Sequence, residues 1–176
     1  YQFGFIPLDA DFTPVMGMIT LLDGRSRGVV SSLTENISVE AVYEKTGLPP
    51  MFTSLLAKIA WIRDEKPEVY RKTEYYGDIK SFLIQKLTGE FVTEPSIAAT
   101  TQLLNFATMR WDDELLETVG ITQNQMPGIE SGDKILCDIT DPMAQELGLK
   151  AGTPLLPGLY DGGSMMVGMG ALTGQE

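Results

Sequence analysis

The stretch that most constrains this chain lies near its end, where an apolar run hands over to a Gly- and Met-rich one across a single charged residue. Leu155, Leu156 and Leu159 read as an apolar strand broken by Pro157, Asp161-Gly162-Gly163 as a tight turn, and Ser164 to Leu172 as a helix of Met and small residues. Strand, turn and helix in succession argue against an all-helical interaction module. Between Lys150 and Glu176, Asp161 is the only charged residue. In open α/β sheets, ligands bind at the carboxyl ends of the strands. Gly162 and Gly163 let the backbone come close to a ligand. A carboxylate at that point can take a proton from a substrate hydroxyl within hydrogen-bond reach. The structural alternative is that Asp161 caps the next helix or fixes the turn. The same stretch is too rich in Pro and Gly, and too interrupted by Asp161, to read as a membrane span.

The rest of the chain supplies the frame. Phe3, Phe5, Ile6 and Leu8 lead into Asp9-Ala10-Asp11, and Val15, Met18, Ile19, Leu21 and Leu22 carry the chain back, which predicts a hairpin or sheet edge. The middle is mostly helical. Thr34 or Ser38 caps a helix that Gly47 stops, and Leu55, Leu56, Ile59, Ala60 and Ile62 form an apolar stripe at helical spacing. Pro67 opens the next helix. Asp78 caps a helix built on Ile79, Phe82, Leu83 and Leu87 and stopped by Gly89. Phe91 to Thr93 reads as extended, and Asp112 or Asp113 caps a helix that ends at Gly120. Lys134 to Ile139 reads as a strand, and Asp141-Pro142 opens a short helix closed by Gly148.

Composition removes several chemistries. The chain has no histidine, so it holds no Ser-His-Asp triad, Cys-His pair, HExxH zinc site or histidine switch. One cysteine, Cys137, forms no internal disulfide. A net charge of -11 makes nucleic acid and anionic membranes poor partners. The glycines at 162, 163, 168 and 170 fit neither a P-loop nor a dinucleotide fingerprint, and close helix packing accounts better for Gly168 and Gly170. Met165, Met166 and Met169 are expected in the core, Trp61 and Trp111 as packing anchors, and Asp112-Asp113 as a solvated helix start. Asp23 and Arg25, two apart on an extended segment, point the same way. They can hold polyol hydroxyls, one accepting and one donating, or form an exposed turn with a weak ion pair.

Six segments in order carry a resemblance: Leu21-Leu22-Asp23-Gly24-Arg25-Ser26; Thr46-Gly47-Leu48-Pro49; Lys58-Ile59-Ala60-Trp61-Ile62; Asp78 through Leu87-Thr88-Gly89; Thr93-Glu94-Pro95-Ser96; and Gly152-Thr153-Pro154 through Gly158-Leu159-Tyr160-Asp161-Gly162. They resemble the W-x-D-x-R-[ST], T-G-x-P, K-[apolar]-x-W, D…L-T-G, T-[DE]-x-S and G-T-P…G-x-x-D-[GQ] motifs of the FGGY family of carbohydrate kinases. The likeness covers almost the whole chain. It departs at Leu21, where the family has tryptophan, and the family's D-x-G-T-[ST] phosphate loop is not in this sequence.

The resemblance implies an α/β fold, part of an actin-like, ribonuclease-H-like ATPase domain with a helical insertion. Residues 1–176 are then one partial domain, the latter part of the family's first domain, without the phosphate-loop strands and the second domain. It implies transfer of the ATP γ-phosphate to a hydroxyl of a small sugar, polyol or sugar acid, xylulose- or gluconate-like. Asp161 is then the general base, with Asp23, Arg25, Phe52 and Gly162 binding substrate. ATP and Mg2+ are the implied cofactors, bound mainly by parts outside this chain, so the chain alone is expected to be inactive. A cytoplasmic location and a homodimer are further expectations. Leu21 motivates the other reading, a sugar-binding or regulatory relative without catalysis.

Overall fold

The computed structural model describes residues 4–170. Phe3 and Leu172, named above, lie outside them. Strand β1 (Ile6–Leu8) is buried throughout. The expected hairpin is present in outline, because Phe5 bridges Ile19 and Leu8 bridges Pro14, both antiparallel. Asp9 sets its turn: Oδ1 accepts from the N–H groups of Asp11 at 3.0 Å and Thr13 at 2.9 Å. The ladder itself forms with a distant partner. β1 pairs antiparallel with β2 (Tyr75–Gly77), Ile6 opposite Gly77 and Leu8 opposite Tyr75.

Helix boundaries follow their caps. A 3-10 turn (Arg25–Val29) runs into α1 (Val30–Asn36), and Thr34 lies inside that helix rather than capping the next. Ser38 caps α2 (Val39–Thr46) by accepting from the Ala41 N–H at 3.1 Å, and Gly47 ends it at φ 73°. α3 (Leu55–Glu65) begins at Ser54, and Pro67 opens α4 (Pro67–Lys72). Asp78 and Ser81 form a capping box at the start of α5 (Ile79–Thr88). Of its expected apolar face, Leu83 is exposed while Ile84 is buried.

The remaining elements are β3 (Val92–Thr93), α6 (Pro95–Thr100), β4 (Leu104–Asn105), β5 (Arg110–Trp111), α7 (Asp113–Thr118), β6 (Gly128–Ile129), β7 (Cys137–Asp138), α8 (Asp141–Leu147), β8 (Pro154–Leu155) and α9 (Asp161–Gly168). β3 pairs parallel with β6, while β4–β5 and β7–β8 are antiparallel pairs. Among the described residues the chain is thus α/β with strands joined two by two. None of the described helices is long and apolar enough to cross a membrane.

The core is built on α3. Its sequence predicts an apolar stripe, but Leu55 through Ile62 are all buried, including Lys58. A helix apolar on nearly every side has no solvated face to offer. Phe5, Ile19 and Tyr76, Leu33 of α1, and Leu103, Leu115 and Leu116 join it in one cluster. Trp61 and Trp111 anchor packing as expected, and the Trp111 indole N–H donates to the Pro127 carbonyl at 2.8 Å.

Several local expectations are corrected by tertiary contacts. Asp112 is not solvated. It caps α7 through the Leu115 N–H, accepts from Lys45 Nζ at 2.9 and 3.0 Å, and from Asn105 Nδ2 at 2.9 Å. Lys45 lowers the cost of burying it, and only Asp113 stays exposed. The strand expected over Lys134 to Ile139 shortens to Cys137–Asp138, and the apolar strand near 155 to Pro154–Leu155. Asp161-Gly162-Gly163 is no turn but the first turn of α9, because the Ser164 N–H already reaches the Tyr160 carbonyl at 2.9 Å. Among the described residues Met165, Met166 and Met169 are exposed rather than core, and a Cβ at Gly168 or Gly170 would meet none of them within 4 Å, so no packing contact with them explains those glycines.

Candidate active site

Two groups of the expected residues form, on different elements. The first gathers Asp23, Arg25 and Phe52 against α3. The Asp23–Arg25 pair is not on extended strand. The Arg25 N–H bonds Asp23 Oδ1 at 3.0 Å and folds the chain into the 3-10 turn. The two side chains still meet: Arg25 Nε lies 2.9 Å from both carboxylate oxygens and Nη2 2.5 Å from Oδ2. Arg25 also stacks, its guanidinium carbon 4.5 Å from the centre of the Trp61 ring. Ser26 Oγ donates to the Phe52 carbonyl at 2.6 Å, and the Arg27 guanidinium lies 3.8 Å from the Phe52 ring centre. Three consecutive side chains thus dock on the segment leading through α3. Asp23 is only 17% exposed against 48% for Arg25, so the pair is more than a solvated turn. The Arg25 fork holds the Asp23 carboxyl below its ordinary value, against the opposing effect of burial.

Lys58, which the sequence offers only as part of a motif, belongs to this group. It stands one helical turn from Trp61 on α3 and is fully buried. Burial pushes its ammonium down to about 8, while the charge of Asp23 pulls it back up. The unfolded chain holds that proton to about 10.5, so between the two values it binds more protons than the native state and stability rises with pH. We expect the stability of the native sequence relative to Lys58→Met to increase on the order of 2 kcal/mol from pH 7.5 to 10, measured by urea denaturation. A pH-independent difference would contradict the buried ammonium.

The second group surrounds Asp161. Tyr160 is the N-cap residue of α9 and Asp161 its exposed first residue. Asp161 Oδ1 accepts from the Gly162 N–H at 3.0 Å. The room left by the missing side chain of Gly162 is filled by the Tyr160 ring: a Cβ there would sit 2.7–2.8 Å from ring atoms. The close approach expected for a ligand is thus made first by the chain itself. Upstream, a Cβ on Gly132 would lie 2.5 Å from the Gly158 carbonyl oxygen, and the Gly158 N–H bonds the Gly132 carbonyl at 2.9 Å. Beside Tyr160 an open cleft is lined by Pro95, Ser96, Thr100, Phe106 and Met109, with Ala99 and Leu48. Asp23, Arg25 and Phe52 are not among its walls. The two groups are joined through the frame, where the Leu56 N–H of α3 donates to the Thr101 carbonyl after α6 at 3.1 Å. Phe106 and Met109, on the β4–β5 turn, carry no spacing that marks them as cleft residues, and sequence reasoning missed them. Among the described residues no group of three or more His, Cys, Asp or Glu is placed to hold a metal ion.

Such a chain falls in the class of α/β domains, here with a carboxylate on the first residue of a helix that follows a short strand and a five-residue connection. It matches the FGGY family of carbohydrate kinases, N-terminal domain, over residues 1–168, and belongs to that family. The gluconokinase of Bacillus subtilis (strain 168) is 30% identical over 167 residues, covering 95% of this chain and 33% of that protein. Crystal structures of a gluconate kinase and of a ligand-bound xylulose kinase, both from Lactobacillus acidophilus, superpose with TM-scores of 0.90 at 29% identity. Each covers 97% of this chain and 35% of the solved one. The chain therefore spans about one third of the length of these relatives, and its fold is that of the actin-like kinase domain the resemblance implies.

Proposed function

We propose that the complete protein carrying this chain is an ATP-dependent carbohydrate kinase. It transfers the γ-phosphoryl group of ATP to a hydroxyl of a small sugar, polyol or sugar acid, gluconate- or xylulose-like. Asp161 is the general base. The observation that supports this reading is an exposed carboxylate on the first residue of α9, next in the chain to Tyr160, which lines an open cleft, in a chain of this family. The acceptor hydroxyl gives its proton to Asp161 as its oxygen bonds the γ-phosphorus, and the bond from that phosphorus to the β,γ-bridging oxygen breaks, releasing ADP. Phosphoryl transfer asks mainly for positioning and charge stabilisation, so one well-placed base is a sufficient demand on this chain. In this reading Asp23 and Arg25 hold substrate hydroxyls, Phe52 gives an apolar wall, and Gly162 binds substrate through the backbone beside Asp161. ATP brings the magnesium ion. Among the described residues no group of three or more His, Cys, Asp or Glu stands ready to hold that ion.

The test is ADP release by the complete protein with gluconate, xylulose, ribulose and glycerol. Release that depends on one of these sugars is the expected result. No release with any of them, alongside measurable sugar binding, would favour a non-catalytic relative. Leu21, exposed where the family has tryptophan, is the feature on that side.

A further inference from the structure

The segment Thr93-Glu94-Pro95-Ser96 has so far only a motif to its name, yet one contact of long reach ends on it. The Tyr160 N–H donates to Ser96 Oγ at 3.2 Å, across 64 positions of chain. An N–H can only donate, so the Ser96 oxygen accepts there and its own proton is free for another acceptor. That acceptor is Glu94, whose Oε1 and Oε2 lie 2.7 and 2.6 Å from Ser96 Oγ. Glu94 is fully buried. Its carboxylate also takes the Ser96 N–H at 2.7 Å and the Ile97 N–H at 3.0 Å, and Lys80 Nζ lies 3.2 Å from Oε1. A buried carboxylate with this many donors has one tolerated geometry. It therefore fixes the Ser96 hydroxyl, and the hydroxyl fixes the peptide N–H one residue before Asp161.

Tyr160 is held at both ends. Its N–H is on Ser96, and its carbonyl accepts from the Ser164 N–H and Ser164 Oγ at 2.9 and 3.0 Å. The backbone entering Asp161 cannot shift relative to α6 or α9 without breaking one of these bonds. We infer that Ser96 and Glu94 are positioning residues for Asp161, holding its carboxylate at the reaching distance of the acceptor hydroxyl. The inference rests on the reading of Asp161 as the base. It adds a device in α6 that serves a carboxylate on α9.

The experiment is steady-state ADP release by the complete protein with the sugar that supports turnover. Ser96→Ala is expected to lower kcat about ten- to a hundredfold, the scale of a roughly 1 Å misplacement, with the sugar KM changed less than about threefold. Ser96→Thr, which restores the hydroxyl, is expected to recover most of kcat. In an Asp161→Asn background Ser96→Ala is expected to cost nothing further, because the group it positions is already gone. If Ser96→Ala does not fold, Ser96→Cys keeps the size with a poor acceptor and gives the same reading. Unchanged kcat in the folded variant, failure of Ser96→Thr to recover it, or an equal loss in both backgrounds would overturn the inference and leave Asp161 as the base. Near-normal turnover of Asp161→Asn alone would instead remove the base, and this inference with it.

Discussion

Asp161→Asn in the complete protein is expected to lower sugar-dependent ADP release by at least about a hundredfold, the usual scale of a general base. Asparagine keeps the size of the side chain, and its carbonyl oxygen can still accept from the Gly162 N–H that now bonds Oδ1. What it loses is the capacity to take a proton. That capacity matters only as the acceptor oxygen forms its bond to phosphorus, so kcat falls while the sugar KM stays close to its original value. The side chain is exposed and outside the core, so the thermal midpoint should not move. A folded variant with near-normal kcat would take Asp161 out of the mechanism. A variant with normal kcat and a raised KM would make it a binding residue instead.

Trp61→Ala is expected to destabilise the protein by about 3–5 kcal/mol, which is the range for deleting a buried large aromatic side chain. Trp61 is 6% exposed and lies in the cluster that α3 forms with Phe5, Ile19, Tyr76 of β2 and Leu33 of α1. The neighbours of a fully buried helix have no free side from which to collapse into the space. Urea denaturation followed by circular dichroism measures the loss, and a value below about 1 kcal/mol would contradict the central place given to α3. The same substitution removes the ring under Arg25. If Arg25 holds substrate hydroxyls, the sugar KM rises as well. Trp61→Phe separates the two effects, because it keeps an aromatic face for the guanidinium and most of the buried volume.

The helix ends are the part of this fold most open to reading from the chain alone. Ser38 with Gly47, Asp78 with Gly89, and Asp141-Pro142 with Gly148 all stand where their chemistry puts them. Caps join groups within about four residues, so the information is local. The motif order that marks the family is local in the same sense, and it offers Asp23, Arg25 and Asp161 as candidate site residues. Reading failed where a residue's environment comes from far along the chain. Asp112 looked solvated until Lys45 was beside it. Lys58 stood only in a motif, and its burial showed once α3 proved buried from Leu55 through Ile62. The methionines of α9 looked like core, yet they stand exposed among the described residues.

By itself, then, the sequence determined the family, the α/β class, most helix boundaries and the candidate base, since each rests on residue types and short spacings. Only the tertiary structure decided that Asp161 opens a helix rather than sitting in a turn, and that Arg25, paired with Asp23, stacks on Trp61. It alone joined Tyr160 to Ser96 and Glu94. The physical reason is the same in each case. Burial, ion pairing and a hydrogen bond across 64 residues depend on which segments share space, and no local pattern of residues encodes that.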